Sequence, residues 1–432
     1  MERPYALSGG FSVMPAVEAG DRSIYCSATL GSDANSGLSI AEPKQTIAAA
    51  KALIRNNTGD RLHLYRGDTW DEAFGEITFS GASSTRRIVI TTYGTGARPV
   101  LRTGSVDCFN FFYGATRNNI VFKGIRAIAH TALGLVQDIC GIVVGSTASD
   151  ILIEDCFFEG FATGISVPAG SGAKTRVAIR RSICYRNFVI GSVSFGHGIY
   201  CATVNGLLIE DVYLDQNGYN PTVGGSQQYT QRHNFYIIPN CTDVSIDNLC
   251  TARASSHGLQ ARAGGNITNL LCIENPYNLL LGGGDEPLVG GIQVAVENVA
   301  IVGSNTINGS AGQGGITTQN VQSGTITNML IIKKPGSTLG GIPMYIDGAN
   351  SGALLTNLVF DGVIVNNWGG NFDIRGTGVT LAGSVLRNLQ LDSPDTEFLL
   401  NYTTLAAAQT LLHDSIRFNR SAGNTSWFYI SG

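Results

Sequence analysis

From about residue 119 the chain repeats a short apolar strand with a polar residue in its middle, and this repeat constrains the fold more than any other feature. The copies read Ile153-Glu154-Asp155-Cys156, Ile179-Arg180-Arg181-Ser182, Ile209-Glu210-Asp211-Val212, Ile246-Asp247-Asn248-Leu249 and Ile267-Thr268-Asn269-Leu270. They continue as Val296-Glu297-Asn298-Val299, Ile326-Thr327-Asn328-Met329, Leu355-Thr356-Asn357-Leu358 and Leu386-Arg387-Asn388-Leu389. Third positions fall roughly 20–40 residues apart, the range in which each repeat is one coil of a solenoid. Asparagine fills six consecutive third positions, from Asn248 to Asn388. Stacked strands lie about 4.8 Å apart, so such a column is expected to form a buried amide ladder in which every amide has a partner. The same reading places Asp211 in that inward column.

A second strand recurs in each coil: Gly164-Ile165-Ser166-Val167, Gly198-Ile199-Tyr200-Cys201, Asn234-Phe235-Tyr236-Ile237, Gly258-Leu259-Gln260-Ala261 and Asn278-Leu279-Leu280-Leu281. Gly315-Ile316-Thr317-Thr318 and Asn371-Phe372-Asp373-Ile374 extend the series. With Ile199, Phe235 and Leu259 inward, alternation points Tyr200, Tyr236 and Gln260 outward, and Arg262 with them. Ahead of the coils, Pro43 to Arg55 carries Ile47, Ala50, Leu53 and Ile54 at helical spacing, as expected of an amphipathic cap over an exposed solenoid end. Charged residues make up only 14% of the chain, and 55 glycines suit tight turns between strands rather than solvated helices. The fold expected is all-β: a right-handed parallel β-helix with an N-terminal amphipathic capping helix. Residues 1–20 read as a loose leader and 21–392 as the β-helix with its cap. Residues 393–432, with a helical patch from Leu405 to Leu412 and the aromatic end Trp427-Phe428-Tyr429, read as a C-terminal cap or assembly segment.

A formal charge of −4 and the absence of a Lys/Arg run argue against nucleic acid as a partner. No apolar stretch approaches the ~20 residues of a membrane span. The start Met-Glu-Arg-Pro-Tyr lacks the layout of a secretory signal, so an extracellular, periplasmic or virion-associated location is expected by another route or after trimming. The nine cysteines, an odd count and without C-x-x-C spacing, read as small buried hydrophobes.

The stretch Tyr25-Cys26-Ser27 … Gly31-Ser32-Asp33-Ala34-Asn35-Ser36-Gly37 … Pro43-Lys44-Gln45-Thr46-Ile47 … Gly59-Asp60-Arg61-Leu62-His63-Leu64-Tyr65-Arg66-Gly67 resembles the N-terminal cap and first coil of the pectate-lyase-like β-helix superfamily. Ile88-Val89-Ile90-Thr91-Thr92-Tyr93-Gly94 … Ala97-Arg98-Pro99-Val100-Leu101 continues the likeness, which is closest to the alginate lyase and chondroitinase B group of polysaccharide lyases. The resemblance covers roughly the first quarter of the chain and implies a polysaccharide-active β-helix. That lyase group would further imply a catalytic Lys and Arg with calcium held by Asn and Glu. The central coils hold almost no lysine and no Glu-x-Glu pattern, so this constellation finds no counterpart here.

What the central coils do hold is His197-Gly198-Ile199-Tyr200, His233-Asn234-Phe235-Tyr236 and His257-Gly258-Leu259-Gln260, with Arg232, Arg253 and Arg262 alongside and an enlarged loop from Asn217 to Arg232. Imidazoles, phenols and guanidiniums together suit abstraction of a proton next to a carboxylate. In β-elimination of a uronate polymer, His233 would be the base and Tyr236 the acid. Arg262 or Arg232 would neutralise the carboxylate, while His197, Tyr200, His257, Gln260 and Arg253 shape the subsites. The opposing reading makes the histidines a structural stack, since alternation puts them on the side of Ile199, Phe235 and Leu259. Three same-column imidazoles about 4.8 Å apart are too spread for tetrahedral ligation at about 2.1 Å, so no metal is assigned and the His/Tyr mechanism requires no cofactor; calcium is left open. The expected substrate is an acidic polysaccharide such as alginate, and the expected assembly is a monomer or homotrimer. The rival chemistry is hydrolysis by paired carboxylates, as in a phage tailspike depolymerase, with Glu210, Asp215, Asp285 and Glu286 as candidates. A non-catalytic carbohydrate-binding β-helix is the third reading.

Overall fold

The repeating column owes its asparagines to backbone conformation. In the computed structural model, all nine column positions, Asp155, Arg181, Asp211, Asn248, Asn269, Asn298, Asn328, Asn357 and Asn388, have φ between 49° and 59°. The left-handed region costs most side chains about 1–2 kcal/mol, and Asn and Asp tolerate it because their short polar groups bond locally. Each such residue is therefore a left-handed corner, and Asp211, Asn248, Asn269, Asn298 and Asn328 turn it within a strand that continues on both sides. The structure describes residues 7–14, 16–111, 114, 116–131, 138–145, 147–170, 172–191, 196–283, 290–312, 314–335, 341–347, 357–368, 372–375, 383–392, 400–402, 412–414, 416–419 and 428–430. Asp285, Glu286, the patch 405–411 and Trp427 lie outside the described residues.

Two expectations for the column are corrected. The asparagines are exposed rather than buried. They still form a ladder: Asn269 donates to Asp247 at 2.7 Å, Asn298 to Asn269 at 3.3 Å, and Asn328 to Asn298 at 3.3 Å. Asn357 is out of register. Pairing of Thr327 with Asp361 and of Asp361 with Arg387 puts Gly362 (φ 70°) between Asn328 and Asn388. Asp211 likewise sits at an exposed-side corner, 3.5 Å from Arg181, and not inside.

The chain divides into two compact units, Met1–Tyr213 with Asn220–Ser226, and Leu214–Tyr219 with Gln227–Gly432. Both are built of right-handed parallel β-helix coils, as expected. In the first unit a typical coil runs Cys140–Val144, Thr147–Glu154 and Phe157–Glu159, each strand pairing in parallel with its counterpart in Thr163–Val167, Lys174–Arg180 and Ile183–Tyr185. Phe109, Phe122, Phe158 and Ile179 fill its interior. In the second unit, Phe235–Ile237, His257–Ala261, Tyr277–Gly282, Gly314–Gln319, Met344–Asp347, Phe372–Arg375, Leu400–Tyr402 and Phe428–Ile430 stack in one parallel sheet. Leu412–Asp414 and Arg417–Asn419 also pair in parallel with the strands before them. A buried amide ladder does exist here, at another corner: Asn217 donates to Asn234 at 2.8 Å, Asn234 to Asn275 at 3.3 Å, and Asn275 to Asn278 at 3.0 Å.

The cap helix spans only Ile47–Lys51, shorter than the periodicity suggests, with Ile47 and Ala50 buried. Thr46 ends it by accepting from the Ala49 N–H at 3.1 Å, while its hydroxyl donates to Asp33 at 2.9 Å. The expected loose leader is tied down in its described part. The hairpin Leu7–Ser8/Phe11–Ser12 lies over the outer face of the first unit. There the Ser12 N–H and hydroxyl donate to Glu154 at 3.0 and 2.8 Å, and Lys123 donates to the Ser12 carbonyl at 2.9 Å. None of the nine cysteines is in a disulfide, and every one except Cys250 is buried.

Candidate functional site

Strand alternation delivers the outward side chains as expected. Phe235, Ile237, Leu259 and Ala261 are buried, whereas Tyr236 and Gln260 are half-exposed and lie side by side through the pairing of Phe235–Ile237 with Leu259–Ala261. Arg262, just beyond the second strand, reaches back and donates from Nη1 to the Tyr236 hydroxyl at 2.8 Å. Its stem runs over Gly283, where a Cβ would come within 2.7 Å of Nε; only glycine leaves the guanidinium this path.

Behind Tyr236 the imidazoles form a hydrogen-bonded group. His233 is 3% exposed and meets Tyr236 edge-on, with ring centroids 4.8 Å apart. Its Nδ1 lies 2.8 Å from the Ser256 hydroxyl and 3.2 Å from Nδ1 of His257. Ser256 in turn reaches His257 Nδ1 at 3.1 Å and donates to the Thr230 and Arg232 carbonyls, each at 2.8 Å. His257 stacks on Tyr277, its register partner, at 4.7 Å. Burial pushes the His257 imidazole down to about 3, against a hydrogen bond to the Thr230 backbone that acts to raise it, so this ring is neutral near pH 7. Burial likewise raises the Tyr277 phenol.

The remaining candidates are placed as follows. Arg232 is fully buried, donates to the Gln227 carbonyl at 2.8 Å, and lies over the Tyr229 ring; burial lowers its pKa. Arg253 forms a two-pronged ion pair with the buried carboxylate of Asp215, with Nε at 2.9 Å from Oδ1. This removes Asp215 from the carboxylates available for hydrolysis. Glu210 is removed too, buried against Arg180 at 2.6 Å. In the first unit His197 is buried and stacks on Tyr200 at 5.6 Å. Alternation therefore holds for His197 and His233, which lie on the buried side with Ile199 and Phe235 as the stacked reading of the histidines expects, while His257 is only partly buried.

Sequence reasoning missed Ser256 and Tyr277, although Tyr277 stands two places before Leu279 just as His257 stands two before Leu259. It also missed a carboxylate pair in the first unit. Asp107 accepts from the Cys140 N–H at 2.7 Å and from Asn110 at 2.6 Å; Asp138 accepts from the Thr163 hydroxyl at 3.3 Å. Desolvation raises both, and for Asp138 the charge of Asp107 adds to it. Among the described residues no three His, Cys, Asp or Glu side chains converge to hold a metal.

No family model and no curated protein matches the chain. Solved structures do. XylC in complex with xylose superposes with a TM-score of 0.50 at 9% identity, covering 95% of this chain and 86% of that one. The chain has a parallel β-helix fold. The A-module of the Azotobacter vinelandii mannuronan C-5 epimerase AlgE4 gives 0.48 at 12% identity, over 87% and 91% of the two chains. Pectate lyase Pel9A gives 0.45 at 17%, over 86% and 79%. Similarities at this identity speak to the fold alone. Among the described residues no helix is long and apolar enough to cross a membrane.

Proposed function

We propose that the chain is a polysaccharide-active enzyme that cleaves a uronate-containing polymer by β-elimination, with Tyr236 and Arg262 at the reacting face. The observation that carries this reading is the 2.8 Å hydrogen bond from Arg262 to the Tyr236 oxygen on an outward strand face. A guanidinium has five donors, so Arg262 can hold Tyr236 and grip a C6 carboxylate at once, making the C5 proton more acidic. As its own hydroxyl proton passes to the leaving glycosidic oxygen, the Tyr236 oxygen takes the C5 proton, and the C5–H electron pair forms the C4–C5 double bond. The C4–O bond breaks, and the same hydroxyl serves both transfers on the same face. His233, closed off behind the ring, acts with Ser256 and His257 as a positioning group. The step needs no cofactor, and the substrate is an acidic polysaccharide met outside the cytoplasm.

The test is a panel of polyuronates, alginate included, read for both the absorbance of unsaturated uronide and new reducing ends. Tyr236→Phe is expected to cut turnover by about 10²–10⁴-fold, and Gly283→Ala to weaken turnover by displacing Arg262. His233→Ala should cost less than Tyr236→Phe. Near-full turnover in Tyr236→Phe would refute the assignment.

One observation favours a second reading, hydrolysis: Asp107, held by the Cys140 N–H and Asn110, and Asp138, held by the Thr163 hydroxyl, are both raised by desolvation, the direction that suits a general acid. Reducing ends without ultraviolet absorbance, abolished by Asp138→Asn and kept in Tyr236→Phe, would select it.

A further inference from the structure

We propose that the second unit carries a separate groove that binds a neutral glycan, independent of the Tyr236–Arg262 site. The groove measures about 580 Å³, within the ~300–1,000 Å³ typical of ligand sites. It lies past the ends of the strands bearing Tyr236 and Gln260, where the chain turns into the next sheet. Asn240, Asn266, Gln293 and Gln322 line it, all exposed, one from each of four consecutive coils. Pro239 and Ala263, both half-buried, supply apolar surface between them.

Several features favour a sugar chain over other ligands. A side-chain amide offers a donor and an acceptor side by side, which matches neighbouring hydroxyls on a pyranose. Successive coils advance by about 4.8 Å, close to the advance of one sugar residue, so a glycan lying along the stack would meet one amide per sugar. The apolar patches suit the C–H faces of the rings. Among the described residues the only charged side chain lining the groove is Asp243, so nothing there recruits a phosphate or a uronate. The backbone is also shaped at this place. Gly265 and Gly291 take φ of 112° and 79°, and the pairing of Ile292–Val302 with Val321–Ile332 slips by one residue between Ile292 and Gln293, beside Gln322. Such a bulge re-aims a side chain at the cost of a regular ladder.

The test is calorimetric titration of the full chain with cellohexaose, xylohexaose, mannohexaose and a hexauronate. At least one neutral hexasaccharide is expected to bind. Asn266→Ala/Gln293→Ala should weaken it at least about tenfold while leaving polyuronate cleavage unchanged, and Tyr236→Phe should leave this binding intact. Asn240→Ala, in an exposed turn, gives the same test at lower risk to folding. The proposal is overturned if no neutral hexasaccharide binds, if the amide variants bind as tightly as the parent, or if Tyr236→Phe removes the binding. Because cleavage and neutral-glycan binding are read separately, loss of one reading leaves the other standing.

Discussion

The two units build the same outer strand face from the same register and finish it in opposite ways. In the first unit, the position three before the left-handed corner holds Val121, Leu152, Ala178 and Leu208, stacked coil on coil with Val89 and all under 5% exposed beneath the N-terminal segment and Met14. In the second unit the same position holds Ser245, Asn266, Ala295 and Thr325, the last three of them exposed. Immediately before the corner, the first unit buries Glu154, Arg180 and Glu210 in a charge column that Ser12 completes. The second unit leaves Glu297 exposed and pairs Asp361 with a largely exposed Arg387. A β-helix coil thus sets backbone and interior, while the outer face is free to become a second core or a surface.

The comparison breaks most visibly at the charge column. Arg180→Ala removes the cation shared by Glu154 and Glu210 in a dry setting, leaving Glu154 with Lys123, and should cost about 3–5 kcal/mol, whereas Arg387→Ala at the matching place should cost below about 1 kcal/mol. Chemical denaturation of both variants checks this; equal effects would mean that the N-terminal segment does not exclude water from Glu154. Next in size is the apolar stripe. Leu152→Ala should cost about 2–5 kcal/mol, as an interior leucine would. Thr325→Ala, on the open face, should stay within about 0.5 kcal/mol.

How much of this was legible follows the same divide. The coils, the outward Tyr236, Gln260 and Arg262, and the buried cysteines could be read because alternation and apolar spacing record which side faces in. The covering of Leu152 and Glu154 could not, because it depends on contacts with Ser12 and Met14, some 140 residues away, and no local pattern encodes that. Glu154 looked like any solvated strand residue. The asparagine column was visible but its cause was mistaken. A run of Asn in register fits both a buried ladder and a left-handed corner, and only φ distinguishes them. At the candidate site, the outward side of Tyr236 and Arg262 and the inward side of His233 followed from alternation, whereas the hydrogen bond between Arg262 and Tyr236 and the bonding of Arg253 to Asp215 came from turns whose course no period predicts.

Acid separates the units next. His63 in the first unit stacks on Tyr25 at 5.0 Å, and its Nε2 is buried without a partner. Burial, with the charge of Arg61, pushes it from 6.5 down to about 4, and His257 in the second unit is pushed to about 3. Both imidazoles are neutral when folded, so the unfolded chain binds more protons below pH 6.5. Their contribution is complete above that pH and is lost as pH falls through the folded values. For His63 the loss amounts to about 3 kcal/mol by pH 4. Melting curves should therefore fall from pH 6.5 downward, with the first unit's share levelling near 4 and the second's continuing toward 3. His63→Phe keeps the stack on Tyr25, removes the orphaned nitrogen and should flatten the first part of the decline.

The smallest effect tests the left-handed corner, which both units share. Asn298 is exposed at φ 59°, and its amide donates to Asn269 at 3.3 Å and accepts from Asn328 at 3.3 Å. If the ladder were the reason for asparagine, Asn298→Gly and Asn298→Ala would hurt equally, since both delete the amide. If the corner is the reason, glycine should be tolerated and alanine should cost about 1–2 kcal/mol, because only alanine brings a Cβ into the left-handed region. Gly362, which occupies the same column without any amide, already argues for the corner. The converse variant, Gly362→Ala, should carry the same penalty as Asn298→Ala, and Gly362→Asn should carry little. Denaturation midpoints that rank the residues Gly, Asn and then Ala at both positions would show that the corner writes the column and that the hydrogen bonds between amides follow from it.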